Sequence, residues 1–291
     1  MGGVSIASTG KLFSSVSVYN GCISKDFRHP FIQESITVST GDLIEIKDFL
    51  RADFRLRYPE RPRYLHIDQS FRTDDTGIAC VYVEDIIEED GVKKPVFGVD
   101  FMLQINPPKP PKKIAIYKIR NFVVYLVNQV HMKIGKVTYD IFNSEESRQI
   151  LEEMGFNVGY QSVDRTDKAY LDTIEIMYEG RLRTYDYSVF RREIFNVVHY
   201  RDKRKVDHLK TNSDGSVGTK DVADGLVGAI ENAISFGVSE SASDNRTLED
   251  FLKVNNISAF SSSNAMTAEE MIDKQLDAMI EDYECGGDSW Y

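Results

Sequence analysis

Tyr64-Leu65-His66-Ile67-Asp68-Gln69-Ser70 is an apolar strand pattern that runs into an acid. A carboxylate at the end of such a run is costly to bury unless it is paired or bound to a cation, although Asp also opens turns. Working outward, Thr76-Gly77 signals a turn and Ile78–Val83 is β-rich. Glu88–Lys94 forms a polar hairpin tip around Gly91. Pro95–Ile105 follows as a third strand carrying Val96, Val99, Phe101, Leu103 and Ile105. Three strands on short connections predict an antiparallel meander.

Beyond the Pro-rich loop Asn106–Lys113, Ile114–Met132 repeats apolar residues at helical spacing. Lys136–Tyr139 reads as a fourth strand ending at Asp140. Ser144 opens a helix through Met154 that Gly155 stops, and Phe156–Val163 reads as a fifth strand. Helices are expected over Asp167–Glu179, Ser188–His199 and Val222–Phe236, with a charged, then Gly- and Ser-rich loop at 201–217. A meander followed by alternating β and α predicts an α/β fold, a mixed five-stranded sheet with three antiparallel strands and then parallel ones, flanked by helices. That domain spans 61–237. Residues 1–60 read as a lead-in, with short strands at Val16–Tyr19 and Ile36–Val38 and an amphipathic helix within Gly41–Arg57. Residues 238–291 read as an acidic tail with one amphipathic helix, Ala268–Tyr283.

Three segments concentrate acids at places a fold can bring together: Asp68, Asp140, and the pair Asp221 and Asp224 in Thr219-Lys220-Asp221-Val222-Ala223-Asp224-Gly225. Asp221 and Asp224 are spaced i, i+3 and share a helix face. First-turn acids also suit the helix dipole, which alone accounts for one of them. Gly225 and Gly228 let this helix lie close on a sheet and carry its acids toward the strand ends. Converging carboxylates repel unless a divalent cation sits between them, and hard oxygen donors suit Mg²⁺ or Mn²⁺ and phosphodiester chemistry. Asp74 and Asp75 are either further ligands or turn residues. His208 is either a ligand or proton carrier, or a loop residue; His29, His66, His131 and His199 read as ordinary.

A net charge of −11 sits oddly with a nucleic-acid partner. Residues 239–291, however, hold 12 acidic and 3 basic side chains, so the remainder is close to neutral. Residues 181–210 hold nine basic side chains against four acids, a candidate phosphate-contact face. Arg181, Arg183, Arg201, Lys203, Arg204 and Lys205, with Lys220 beside the acids, are the expected DNA contacts; Arg191 and Arg192 suit a solvated helix face equally well. Cys22, Cys80 and Cys285 match no zinc spacing or disulfide framework, which predicts a reducing compartment. No apolar run is long enough for a membrane span, and no signal-peptide core is present, which predicts a soluble, intracellular chain with no membrane partner. Ser8-Thr9-Gly10-Lys11 lacks the remaining residues of a phosphate-binding loop, so no ATPase motif is expected. No Gly-x-Ser-x-Gly or His-Glu-x-x-His pattern occurs either.

Taken in order, the motifs resemble the C-terminal nuclease domain of the large terminase subunit of tailed bacteriophages, within the RNase H-like (retroviral integrase-like) superfamily. The resemblance covers Arg63–Phe236. It is carried by His66-Ile67-Asp68-Gln69-Ser70, Thr76-Gly77-Ile78-Ala79, Val137-Thr138-Tyr139-Asp140 and Leu151-Glu152-Glu153-Met154-Gly155-Phe156. Ser162-Val163-Asp164-Arg165-Thr166, Lys205-Val206-Asp207-His208 and Gly218-Thr219-Lys220-Asp221-Val222-Ala223-Asp224-Gly225 complete it. The resemblance implies an RNase H-like endonuclease that cuts concatemeric double-stranded viral DNA using two Mg²⁺ or Mn²⁺ ions. Asp68 would be the central ligand, Asp140 would hold one ion, and Asp221, with Asp224 as helper or substitute, would complete the site. In several such nucleases a His lies near the third acid, which favours His208.

The same resemblance implies a packaging ATPase domain, the portal protein and the small terminase subunit as partners. It places the chain in the host cytoplasm, transiently at the procapsid. With no motor motif, the chain is expected to be a nuclease-domain fragment or a product working with a separate motor, and residues 1–60 the remnant of an interdomain linker. Two alternatives are a ribonuclease H or Holliday-junction resolvase on the same fold, and a non-catalytic packaging-assembly module.

Overall fold

Alternating side chains divide the central strands between two cores, one on each face of a sheet. The computed structural model describes residues 9–238 except 71–73, 141–143, 164, 213–214 and 216. The expected helix Ala268–Tyr283 and Asp164 lie outside the described residues. In chain order the elements are β1 (Thr9–Lys11), α1 (Val16–Cys22), β2 (Ser35–Ile36), a 3-10 turn (Ile46–Phe49), β3 (Arg63–Asp68), β4 (Thr76–Glu89) and β5 (Val92–Ile105). There follow α2 (Ile116–Asn128), β6 (Ile134–Tyr139), α3 (Glu145–Glu153), β7 (Val158–Tyr160), α4 (Lys168–Tyr178), β8 (Leu182–Arg183) and α5 (Ser188–Ile194). β9 (Val197–Tyr200), β10 (Lys205–His208) and α6 (Asp221–Asn232) complete the series, and α6 runs on into a π-helical segment, Ala233–Val238.

The five expected strands form a mixed sheet flanked by helices, in the order β5-β4-β3-β6-β7. β3, β4 and β5 are antiparallel, and β6 and β7 run parallel to β3. Seven strands pair rather than five, because β2 and β8 both add to β5. Leu65, Ile67, Ile78, Cys80, Val137 and Tyr139 face one core, against Ile119, Phe122 and Leu126 of α2. Tyr64, Ala79 and Val81 face the other, against Val222, Leu226, Val227 and Ile230 of α6. By the two-residue period of a strand, Asp68 falls on the α6 side.

The β4–β5 hairpin is longer than expected and turns at Asp90 and Gly91, both at positive φ (53° and 76°), as a tight two-residue turn demands. Four expectations are corrected. Val16–Tyr19 is not a strand but the start of α1, whose Ser15 Oγ accepts from Val18 N–H. Within Gly41–Arg57 only the 3-10 turn is helical. Buried Lys118 donates its ammonium to the Asp42 and Ile44 carbonyls, holding that stretch as a loop. The helix Ser188–His199 stops at Ile194; the β-branched pair Val197-Val198 goes into β9, and part of the expected 201–217 loop is β10. β9 pairs with both β10 and β1 in a separate three-stranded sheet. The segment before Tyr64 is built into the packing, since Phe13 and Tyr19 join the α6-side core and Phe31, Ile36, Val38 and Ile46 the other.

Candidate functional site

Adjacent strand ends put Asp68 and Asp140 side by side. Ile67 pairs with Tyr139, and the Asp140 N–H donates to the Ile67 carbonyl at 3.2 Å, extending the parallel ladder by one residue. Opposite Asp68 on β4 stands Gly77. A Cβ on Gly77 would lie 1.9 Å from the backbone oxygen of Asp221, so glycine is what admits the first turn of α6 to the strand ends. A Cβ on Gly228 would lie 2.3 Å from the His66 ring, and one on Gly225 3.3 Å from the Ala79 nitrogen. These close approaches lay α6 flat across β3 and β4.

Polar staples fix the same helix along its length. Asn232 Nδ2 donates to the Leu65 carbonyl at 2.8 Å and to Thr138 Oγ1 at 2.6 Å. Thr138 Oγ1 also meets His66 Nδ1 at 2.7 Å, and Gln161 Nε2 donates to the Gly228 carbonyl at 3.2 Å. Burial holds the His66 imidazole down at about 3, so it stays neutral and serves this network.

The four predicted aspartates share one electrostatic field. Burial raises the Asp68 carboxyl well above the usual carboxylate range, and Asp224, Asp221 and Asp140 raise it further, while Lys220 opposes them. Asp221 is pushed up to about 8, first by burial, then by Glu193, Asp224 and Asp75, again against Lys220. Asp224 accepts from the Tyr170 hydroxyl at 2.5 Å and from the Lys220 ammonium. Both members of the Asp221/Asp224 pair therefore act on Asp68 through their charge. Among the described residues, no three acid, His or Cys side chains are arranged to enclose one ion.

Two acids beyond that set belong to the same field. Glu193 of α5 is buried and pushed up to about 8 by burial, although bonds from Thr219 and Ala223 lower it; Asp224 and Asp75 push it further up. Asp75 is raised by burial and by Asp74, while its bond from Gln104 Nε2 at 2.7 Å and the charge of Arg192 lower it. Glu193 does carry a sequence signal: it sits on the apolar stripe Val189, Phe190, Ile194, where a charge is out of place. Tyr170 carries none, because its ring belongs to the α4 core stripe with Ile174 and Met177.

The remaining expected residues separate. His208 pairs with its neighbour Asp207, Nδ1 to Oδ1 at 3.3 Å, rather than with the aspartates. Lys220 is no surface contact; it is 9% exposed and turned onto Asp224. Arg181 is buried too, donating to the Pro95 carbonyl at 2.8 Å and to Glu179 at 2.6 Å. Arg183 is exposed beside Glu84, but its partner Gly98 is six residues along β5 from Gln104, which faces Gly77. That is about 20 Å of strand away from the acids. Arg201, Lys203 and Arg204 stand exposed at the β9–β10 turn, and half-buried Lys205 lies 3.4 Å from Asp207.

No protein-family model and no curated protein matches the chain. Among solved structures, the chain is similar to the HK97 bacteriophage large terminase, with 13% identity and a TM-score of 0.45, covering 76% of this chain and 43% of that one. It thus spans less than half of the HK97 protein. It is also similar to the large terminase nuclease from thermophilic phage G20c, with 13% identity and a TM-score of 0.45, covering 74% of this chain and 97% of that one. The magnesium-bound form of the G20c nuclease gives 13% identity and a TM-score of 0.43. Likeness at this level carries no residue correspondence, and the site stands on its own geometry.

Proposed function

We propose that this chain is a divalent-metal-dependent endonuclease that cuts double-stranded DNA during viral genome packaging. The observation that carries the reading is Asp68, a carboxyl at the end of β3 beside Asp140, raised first by burial and then by the charges of Asp224, Asp221 and Asp140 from two other elements. Such a donor set is all hard oxygen, with several like charges gathered around Asp68 and Lys220 opposing them, which fits Mg²⁺ or Mn²⁺ in chemistry. Asp68 would be the ligand common to two ions, with Asp140 on one side and Asp221 or Asp224 on the other. When bound, such ions supply an activated water and charge stabilisation for the leaving oxygen of a phosphodiester.

The chain's own residues do the rest. Burial keeps Asp68 and Asp221 poorly solvated and disfavours their charged forms, so a cation at the strand ends that lets them ionise would be held strongly. Tyr170 holds one Asp224 oxygen and Lys220 the other, which leaves Asp221 the less committed of the pair and the preferred third ligand. Arg201, Lys203 and Arg204 are three of the exposed cations available to a phosphate backbone. The partners follow the same proposal: duplex viral DNA, a packaging ATPase domain, the portal and the small terminase subunit, in the host cytoplasm.

The test compares metal-dependent cleavage of duplex DNA, an RNA–DNA hybrid and a four-way junction by the same protein. Duplex cleavage that needs Mg²⁺ or Mn²⁺ and exceeds the other two supports the proposal. Preference for the hybrid points to a ribonuclease H, preference for the junction to a resolvase, and no cleavage of any substrate to an assembly module.

A further inference from the structure

Glu193 lies outside the four aspartates, yet it makes the contact that starts α6. It is 1% exposed, in the last turn of α5. Its Oε1 accepts from the Thr219 hydroxyl at 2.8 Å, and its Oε2 accepts from the Ala223 N–H at 2.8 Å. Ala223 is the third residue of α6, so its N–H is one of the donors that no carbonyl within the helix can satisfy. The helix has no side-chain cap of its own, because Lys220 at the N-cap carries only donors, and its ammonium goes to Asp224. A second grip lies one turn on: Asn196 Nδ2 donates to the Leu209 carbonyl at 2.9 Å, and the Leu209 N–H returns a bond to the Asn196 carbonyl at 3.2 Å. The end of α5 thus holds both the lead-in to α6 and its first turn.

We infer that Glu193 is a positioning residue, an acid lent by α5 that caps α6 and so fixes Asp221 and Asp224 against the ends of β3 and β6. This rests on the proposed metal site. An ionised Glu193 accepts at both oxygens, whereas glutamine keeps one acceptor for the Ala223 N–H and can engage Thr219 only by donating to its hydroxyl oxygen. Without the cap, the first turn of α6 frays, and that turn carries the two acids.

Hydrogen exchange of the segment 219–226 in EDTA, beside Mn²⁺ titration without DNA, tests this on Glu193→Ala, Glu193→Gln and Thr219→Val. Exchange is expected to quicken about fivefold or more in Glu193→Ala, with Glu193→Gln between it and wild type and Thr219→Val least changed. Mn²⁺ affinity is expected to fall about 10- to 100-fold in Glu193→Ala. Wild-type exchange in a folded Glu193→Ala overturns the inference, as does quickened exchange with unchanged Mn²⁺ affinity; if that variant does not fold, Glu193→Gln is judged by the same outcomes. Wild-type protein that takes up no Mn²⁺ overturns the proposed function instead, and the exchange arm still decides whether Glu193 positions α6.

Discussion

Asp68, Asp221 and Glu193 are acids in places that disfavour their charge, and this sets the behaviour of the metal-free protein. Asp221 and Glu193 are raised to about 8, well above the values of the unfolded chain. Between the usual carboxylate range and about 8 the folded protein holds protons that the unfolded chain has released. Their contribution to stability is therefore complete at low pH and is lost as pH rises through about 8. Urea denaturation in EDTA should show lower stability at pH 9 than at pH 6; a flat or rising profile would contradict this. Asp68→Asn removes one charge from the cluster while keeping its shape. It should stabilise metal-free protein at alkaline pH, where the cluster is ionised, and abolish the rise in Tm that Mn²⁺ gives wild type. Both changes are read from thermal melts with and without the ion. At this scale the aspartates were legible because each stands at an element boundary. Lys220 and Arg181 misled because a cation looks the same in sequence whether it ends in solvent or, as here, on a buried carboxyl (Lys220) or a backbone carbonyl (Arg181).

At the scale of elements, the approach of α6 to the sheet decides whether the acids meet. Gly77→Ala places a methyl on the Asp221 carbonyl and must push the first turn of α6 away. A cost of about 1–3 kcal/mol is expected from such overpacking, with loss of metal-induced stabilisation exceeding what the lower stability alone explains. Melts and Mn²⁺ titration of that variant check both. The β9–β10 turn carries the exposed cations, so replacing Arg201, Lys203 and Arg204 with alanine should weaken duplex binding. It should also reduce the slope of log affinity against log salt by up to about 3, measured by fluorescence anisotropy. The meander, the α2 stripe and α6 were legible from period and turn signals. The short elements were not: α1 contains two valines and was decided by a Ser15 cap and the burial of Tyr19 and Cys22. β9 is held between β10, across a short turn, and β1 from the start of the chain. Pairing over such a distance leaves no local pattern.

At the scale of the whole molecule, one sheet with a core on each face brings three elements, distant in sequence, to one end. The order β5-β4-β3-β6-β7 makes β3 and β6 neighbours, and α6 returns across β4 and β3. The acid segments were therefore readable before the fold was known, whereas Glu193 became meaningful only once α5 and α6 were seen in contact. The central claim is that the Asp68 cluster is a metal-dependent nuclease site. Plasmid cleavage with Mn²⁺ tests it most directly, comparing wild type, Asp68→Ala, Asp140→Ala, Asp221→Ala and Asp224→Ala in one assay. The account predicts that wild type nicks and linearises plasmid only with the ion. Asp68→Ala, Asp140→Ala and Asp221→Ala should fall to background while remaining folded, and Asp224→Ala should retain part of the activity. Cleavage by Asp68→Ala at the wild-type rate, or a wild type that never cuts, would contradict it.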